Sequence, residues 1–216
     1  MFALLNHFKQ KVKKQLRDKL PDNFTDDGIN YIVDVLEKRG NSNLEYGQLF
    51  GYKDGKPYSI EFGGDSDEYV RITPKGSYKN LNLMYGDESY DYYQNIEKYT
   101  INYIEGKDKI AIQHNHTKKG LYAPSSDDLL HLIQNDYADF SICISSEEIW
   151  IIEHTGAYSL SKQRRIENEI LPKENEVRNM KYTHSSEEIN EWYGNQIEEV
   201  INTSLDDILT VYKVIL

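Results

Sequence analysis

The residues best placed to do chemistry lie in one stretch, IAIQHNHTKKGLYAPSSDDLLH (110–131). His114 and His116 are two apart on a segment, KIAIQHNH, that reads as a short strand over 109–116. Alternate residues of a strand point to one side, so both imidazoles can reach one ion. Asp128 follows His116 by twelve residues and falls in the first turn of a helix predicted over 125–134. Two histidines and one carboxylate form a ligand set for tetrahedral zinc with one position left for water. That is the arrangement of a hydrolytic site rather than a structural one. Zinc held this way ionises its bound water near neutral pH.

Neighbouring residues have plainer readings. Ser125 is an N-cap candidate for the helix that carries Asp128, a role compatible with a hydroxyl aimed at the site. His131, one helical turn beyond Asp128, reads as a surface residue or as a hydrogen-bond partner of a ligand rather than a ligand. His154 and His184 have no partner pattern. Cys143 alternates with Ile142 and Ile144 on a strand and reads as a small buried residue rather than a nucleophile, since no context that would lower its pKa is visible. The tripeptide His114-Asn115-His116 spells the name of a nuclease family. That name, however, describes residues spread over a longer ββα-metal motif, and the acidic chain disfavours a nuclease of that type.

The elements that must position these residues follow from hydrophobic period and turn chemistry. Residues 1–20 form a basic amphipathic helix with Leu5, Phe8, Val12, Leu16 and Leu20 on one stripe and Pro21 after it. Its lysines either dock a membrane surface or partner, or stay in water while the stripe packs on the domain. A second helix runs from a Thr25 cap through Ile29, Ile32, Val33 and Leu36 to Lys38-Arg39-Gly40. Leu49 and Phe50 open a strand, Asp54-Gly55 signals a hairpin, and 58–62 alternates as a second strand. A short strand over 69–73 and a helix over 88–105 are predicted before the histidines. FSICIS (140–145) and EIWIIEH (148–154) are two strands joined tightly at Ser145-Ser146-Glu147. The tail reads as helical, with a capping box at Ser185-x-x-Glu188 and a stripe through Ile189, Trp192, Ile197, Val200 and Ile201. The pattern is one mixed α/β domain with helical extensions.

Composition narrows the class further. The chain has 216 residues, 25 Lys and Arg against 36 Asp and Glu, and a formal net charge of −11. A general nucleic-acid binder would carry the opposite sign to neutralise phosphates, so no nucleic-acid partner is expected. A single cysteine excludes an internal disulfide and a cysteine-built zinc finger. No apolar run approaches the ~18–20 residues that span a bilayer. The apolar residues 1–5 precede the lysines, the reverse of a secretory signal. A soluble, cytoplasmic protein is the expectation.

The metal-ligand stretch resembles the JAMM motif of the MPN-plus, or JAB-domain, zinc metalloproteases: His-x-His, a spacer, then Ser-x-x-Asp. A second element is similar to that family's upstream glutamate: Asn43-Leu44-Glu45-Tyr46-Gly47-Gln48-Leu49-Phe50-Gly51, which follows a helix and precedes the Asp-Gly turn. Thr117 stands where the family usually has proline. The spacer is one residue longer than is common, which leaves Asp127 and Asp128 open. The phase of Pro124-Ser125-x-x-Asp128-Leu129 selects Asp128.

The resemblance covers about residues 25–155. It implies an MPN (JAB)-like, cytidine-deaminase-like mixed sheet flanked by helices, with extra N- and C-terminal helices. The expected units are a basic helix over 1–24, a catalytic domain over 25–160 and a helical extension over 161–216. It further implies a peptidase or isopeptidase with Zn2+ on His114, His116 and Asp128, Glu45 as general base and then acid, and Ser125 as oxyanion support. The implied partner is a protein or peptide substrate, with ubiquitin-like tails among the candidates. Some relatives have lost the ligands and serve as scaffolds, so a silent or latent binding module is the alternative. The polar, Tyr- and acid-rich stretch from Gly63 to Ser89 is expected on the rim of the zinc, either as a substrate flap or as a solvated excursion.

Overall fold

In the computed structural model, residues 2–20, 26–44, 46–53, 56–63, 110–117, 120–134 and 138–216 are described. In chain order they form helices α1 (Phe2–Lys19) and α2 (Asp26–Arg39), strands β1 (Tyr46–Lys53), β2 (Lys56–Gly63) and β3 (Ile110–Asn115), and helix α3 (Ser126–Gln134). Strands β4 (Ala138–Ile144) and β5 (Glu148–His154), helices α4 (Leu160–Met180) and α5 (Ser186–Thr203), and strand β6 (Leu209–Ile215) complete the fold. The expected Thr25 cap, the Asp54-Gly55 turn, the stretch 64–89, the strand over 69–73 and the helix over 88–105 lie outside the described residues.

The strands make one mixed sheet in the order β2-β1-β3-β4-β5-β6. Only β3 and β4 run parallel among these neighbours. Parallel neighbours need a crossover, and α3 lies within it. β4 and β5 turn tightly, with Ser145 Oγ accepting from the Glu148 N–H at 2.9 Å.

Both faces of the sheet are covered, which explains why β4 and β5 read as nearly continuous apolar runs. On one face, Phe140, Ile142, Ile144, Ile149, Ile151 and Val214 pack against Val12, Leu16 and Leu20 of the first helical segment and Ile29, Ile32, Val33 and Leu36 of α2. Val12, Leu16 and Leu20 of the first stripe are therefore packed on the domain, whereas Phe8 is exposed and the basic residues Lys11, Lys14 and Lys19 are exposed as well. On the other face, Cys143, Trp150 and Ile152 pack against α3, α4 and α5 through Leu129, Leu132, Ile166, Ile170, Tyr193, Ile197 and Ile201. Alternation along β4 and β5 assigns neighbouring residues to opposite cores. No helix among the described residues is long and apolar enough to cross a membrane.

The segment 161–216 differs from the expected helical extension. Its capping box forms as read, with Ser185 Oγ accepting from the Glu188 N–H at 3.2 Å and the Glu188 carboxylate accepting from the Ser185 N–H at 2.8 Å. Its last stretch, however, is strand β6, paired antiparallel along β5. Thr210, Val211, Val214 and Ile215 are β-branched and suit a strand, but β5 must offer an open edge before that preference is expressed. The apolar faces of α4 and α5 share one core with α3, β4 and β5.

Candidate metal centre

The centre is built where β3 ends. His114 is the last residue but one of that strand, and His116 lies just past it. The His116 N–H donates to the Ile144 carbonyl at 2.8 Å, which prolongs the pairing with β4 beyond the strand's end. The imidazoles therefore stay on one side, with their Nε2 atoms 2.8 Å apart and ring centroids 4.7 Å apart. Both residues are buried.

Asp128 arrives from the N-terminus of α3. Ser125 caps that helix: its Oγ accepts from the Asp128 N–H at 3.3 Å. In return the Ser125 N–H and Oγ–H each donate to Asp128 Oδ2 at 2.7 Å. This reciprocal cap aims the carboxylate. Asp128 Oδ1 lies 3.3 Å from His114 Nε2, and Oδ2 lies 3.7 Å from His116 Nε2. Asp127 is exposed, one helical position away. The phase that favoured Asp128 over Asp127 thus agrees with the geometry. The Ser125 hydroxyl proton, expected to serve an oxyanion, is directed here at Asp128.

Cys143 is a fourth member that the sequence reading placed only in the core. It is buried as expected, but it pairs with His114 in the parallel register of β3 and β4. Directly paired residues share a face, and Cys143 Sγ lies 3.7 Å from His114 Nε2. One ligand atom from each of His114, His116, Asp128 and Cys143 falls within 4.8 Å of all the others.

The donor set fits zinc. Bonds of ~2.0–2.1 Å at the tetrahedral angle place ligand atoms about 3.3 Å apart. The His114–His116 separation of 2.8 Å and the contacts of His114 with Asp128 Oδ1 at 3.3 Å and of His116 with Asp128 Oδ2 at 3.7 Å lie around that value, with the two histidines facing different oxygens of the one carboxylate. A hydrogen-bond network explains the packing poorly, because an imidazole nitrogen is either one donor or one acceptor. Around His114 Nε2 stand a nitrogen, an oxygen and a sulfur.

The charges respond to this crowding. Burial by itself would lower the His116 pKa, but the Asp128 carboxylate and the Cys143 thiol outweigh it and push it up to about 10. Burial by itself would raise the Asp128 carboxyl, yet His114 and His116 hold it well below the usual carboxylate range. Both shifts favour the charged forms of a His116–Asp128 pair. His131, half-buried and outside the four-ligand cluster, is lowered by burial, opposed by Asp128 and reinforced by His114. His184 is exposed, and its Nδ1 lies 2.8 Å from Thr183 Oγ1. His154, at the end of β5, is also outside the cluster.

Distant residues hold the ligand-bearing segments. Asn190 of α5 accepts from the Tyr122 N–H at 2.8 Å and donates to the Gly120 carbonyl at 3.4 Å, fixing the loop between His116 and α3. The Tyr193 hydroxyl donates to the Pro124 carbonyl at 3.1 Å, and Glu174 of α4 accepts from the Ser126 N–H. Asn115, between the two histidines, accepts from the Tyr46 N–H at 2.9 Å and donates to the Leu44 carbonyl at 3.0 Å. The chain on both sides of Glu45 is thereby tied to the histidine strand, while Glu45 itself lies outside the described residues. None of these supports was singled out from sequence, because each joins residues 48–71 positions apart, and no local pattern marks such pairs.

No family model, curated protein or solved structure matches the chain.

Proposed function

We propose that the chain is a zinc-dependent peptidase or isopeptidase of the JAMM type on an MPN (JAB)-like domain. One observation carries the reading: His114, His116 and Asp128 converge from the end of β3 and the capped start of α3, with ligand atoms close enough to share one ion. His114, His116 and Asp128 would hold the ion. Zinc, when bound, supplies an acidified water and polarises the scissile carbonyl.

The chain's own residues do the rest. Asp128 supplies the anionic ligand, and Ser125 holds its carboxylate in place. Glu45 takes the proton of the attacking water on its carboxylate and returns it to the leaving amine. The Asn115 clamp on Leu44 and Tyr46 supports that assignment by tethering the backbone beside Glu45 to the ligand strand. Ser125 serves the oxyanion by turning its hydroxyl away from Asp128. The substrate class is a protein or peptide, ubiquitin-like tails included.

A second reading, a binding module on the same fold without turnover, is favoured by the Ser125 hydroxyl being engaged with Asp128. Zinc analysis of the purified chain, with a screen of peptide and isopeptide substrates on wild type and Glu45→Gln, separates the two. The enzyme reading expects one zinc per chain in both proteins and cleavage by wild type. It expects a loss of ~10²–10⁴-fold in the variant, the usual worth of general acid–base catalysis. Full zinc occupancy with no cleavage of any substrate supports the binding module. Absence of zinc binding removes the metal reading altogether.

A further inference from the structure

We propose that the Cys143 thiolate is a fourth metal ligand, so that the resting centre is a closed His114, His116, Asp128, Cys143 site rather than a three-residue site with an open position. The inference rests on the zinc reading of the same centre and changes what that centre is at rest. A ~2.3 Å zinc–sulfur bond beside a ~2.05 Å zinc–nitrogen bond sets a tetrahedral sulfur–nitrogen edge of about 3.6 Å. Cys143 Sγ stands 3.7 Å from His114 Nε2. The parallel register of β3 and β4 places it there, since His114 and Cys143 are direct partners. Cys143 is fully buried, which places its thiol on the inner side of the centre.

Chemistry follows from the sulfur. As the sulfur–metal bond forms, the Sγ–H proton leaves to solvent, because a coordinating thiol is deprotonated outright. A thiolate beside two imidazoles selects borderline-soft ions of the zinc and cobalt class over magnesium or calcium. Four protein ligands are the pattern of a closed site. Water or a substrate carbonyl then enters as a fifth ligand or by displacing Cys143, and the thiolate becomes a brake on turnover.

Cobalt substitution tests this directly. The chain has one cysteine, so a thiolate-to-cobalt charge-transfer band in the near ultraviolet has one source. Wild type titrated with Co2+ should show that band, saturating at one ion per chain. Cys143→Ser should keep the weaker visible bands of bound Co2+, lose the charge-transfer band, and bind the ion at least roughly tenfold more weakly, the lower end of what losing even an outer-shell partner does. Wild type that binds one Co2+ without the charge-transfer band overturns the inference and leaves the three-ligand zinc reading standing. Wild type that binds neither Co2+ nor Zn2+ overturns both. If Cys143→Ser does not fold, the wild-type spectrum alone decides.

Discussion

The two faces of the sheet share the same strands and do opposite work. Under α1 and α2, Ile142, Ile144, Ile149 and Ile151 belong to one apolar core with Val12, Leu16 and Ile32. Under α3, α4 and α5, their strand neighbours Cys143 and Trp150 belong to a core that opens at one end onto two histidines and a carboxylate. A one-residue step along β4 separates the two environments. The apolar face draws its stability from burial of apolar area. On the other face a buried ion pair and polar clamps replace part of that burial, and such groups are held only where every partner is in place. Rigid packing on one side thus supports a centre on the other that needs precise placement more than it adds stability.

The largest expected effect breaks the polar face alone. Asp128→Asn should abolish stoichiometric zinc binding by calorimetry, whereas Asp127→Asn should bind like wild type, since Asp127 is exposed. Equal affinity in the two variants would show that the α3 carboxylate does not distinguish the faces.

Leu16→Ala probes the apolar face. Leu16 is fully buried, and its truncation should destabilise the protein by ~2–5 kcal/mol in urea unfolding. Zinc affinity of the folded fraction should stay unchanged. A shift in affinity as large as the loss in stability would mean that the two faces are coupled through the sheet.

Asn190→Ala cuts a strut of the centre while leaving every ligand in place. The loop at Gly120 and Tyr122 loses its partner, so zinc affinity should fall by about 10–100-fold, the usual effect of removing an outer support. Unchanged affinity would show that Tyr193 and Glu174 suffice to hold α3.

The smallest effect, per unit of pH, reads the charge on the centre. The His116 imidazole is raised from 6.5 to about 10 in the metal-free fold, so the folded state binds the extra proton over that interval. Its contribution to stability is complete below pH 6.5 and is lost as pH rises towards 10. The urea midpoint of the metal-free protein should therefore decline across that window. In the zinc-loaded protein the proton is already displaced and this decline should vanish. Zinc affinity should weaken on acidification, by up to about tenfold per pH unit for the His116 proton displaced and by up to about tenfold more where the Cys143 proton is released as well. A flat response in the metal-free protein would show that His116 carries no extra proton at neutral pH.

Much of the layout was legible because it is local. The stripe of α1 at Val12 and Leu16, the apolar runs of β4 and β5, and the Ser185-Glu188 capping box follow from periods of two and 3.6 residues and from caps spanning one turn. β6 was read as helix because seven residues of strand-prone sequence carry little signal until a neighbouring edge is known. Glu45 and the stretch 64–89 lie outside the described residues.

The sequence by itself determined that His114 and His116 share a side and that Ser125 caps the helix aiming Asp128, because each is settled within one strand or one turn. Only the tertiary structure decided that Cys143 joins them, that Asn115 ties Leu44 and Tyr46 to the ligand strand, and that α5 holds the loop at Gly120. Those contacts depend on strand register and on helix packing between segments 29–71 residues apart, and no local preference encodes either.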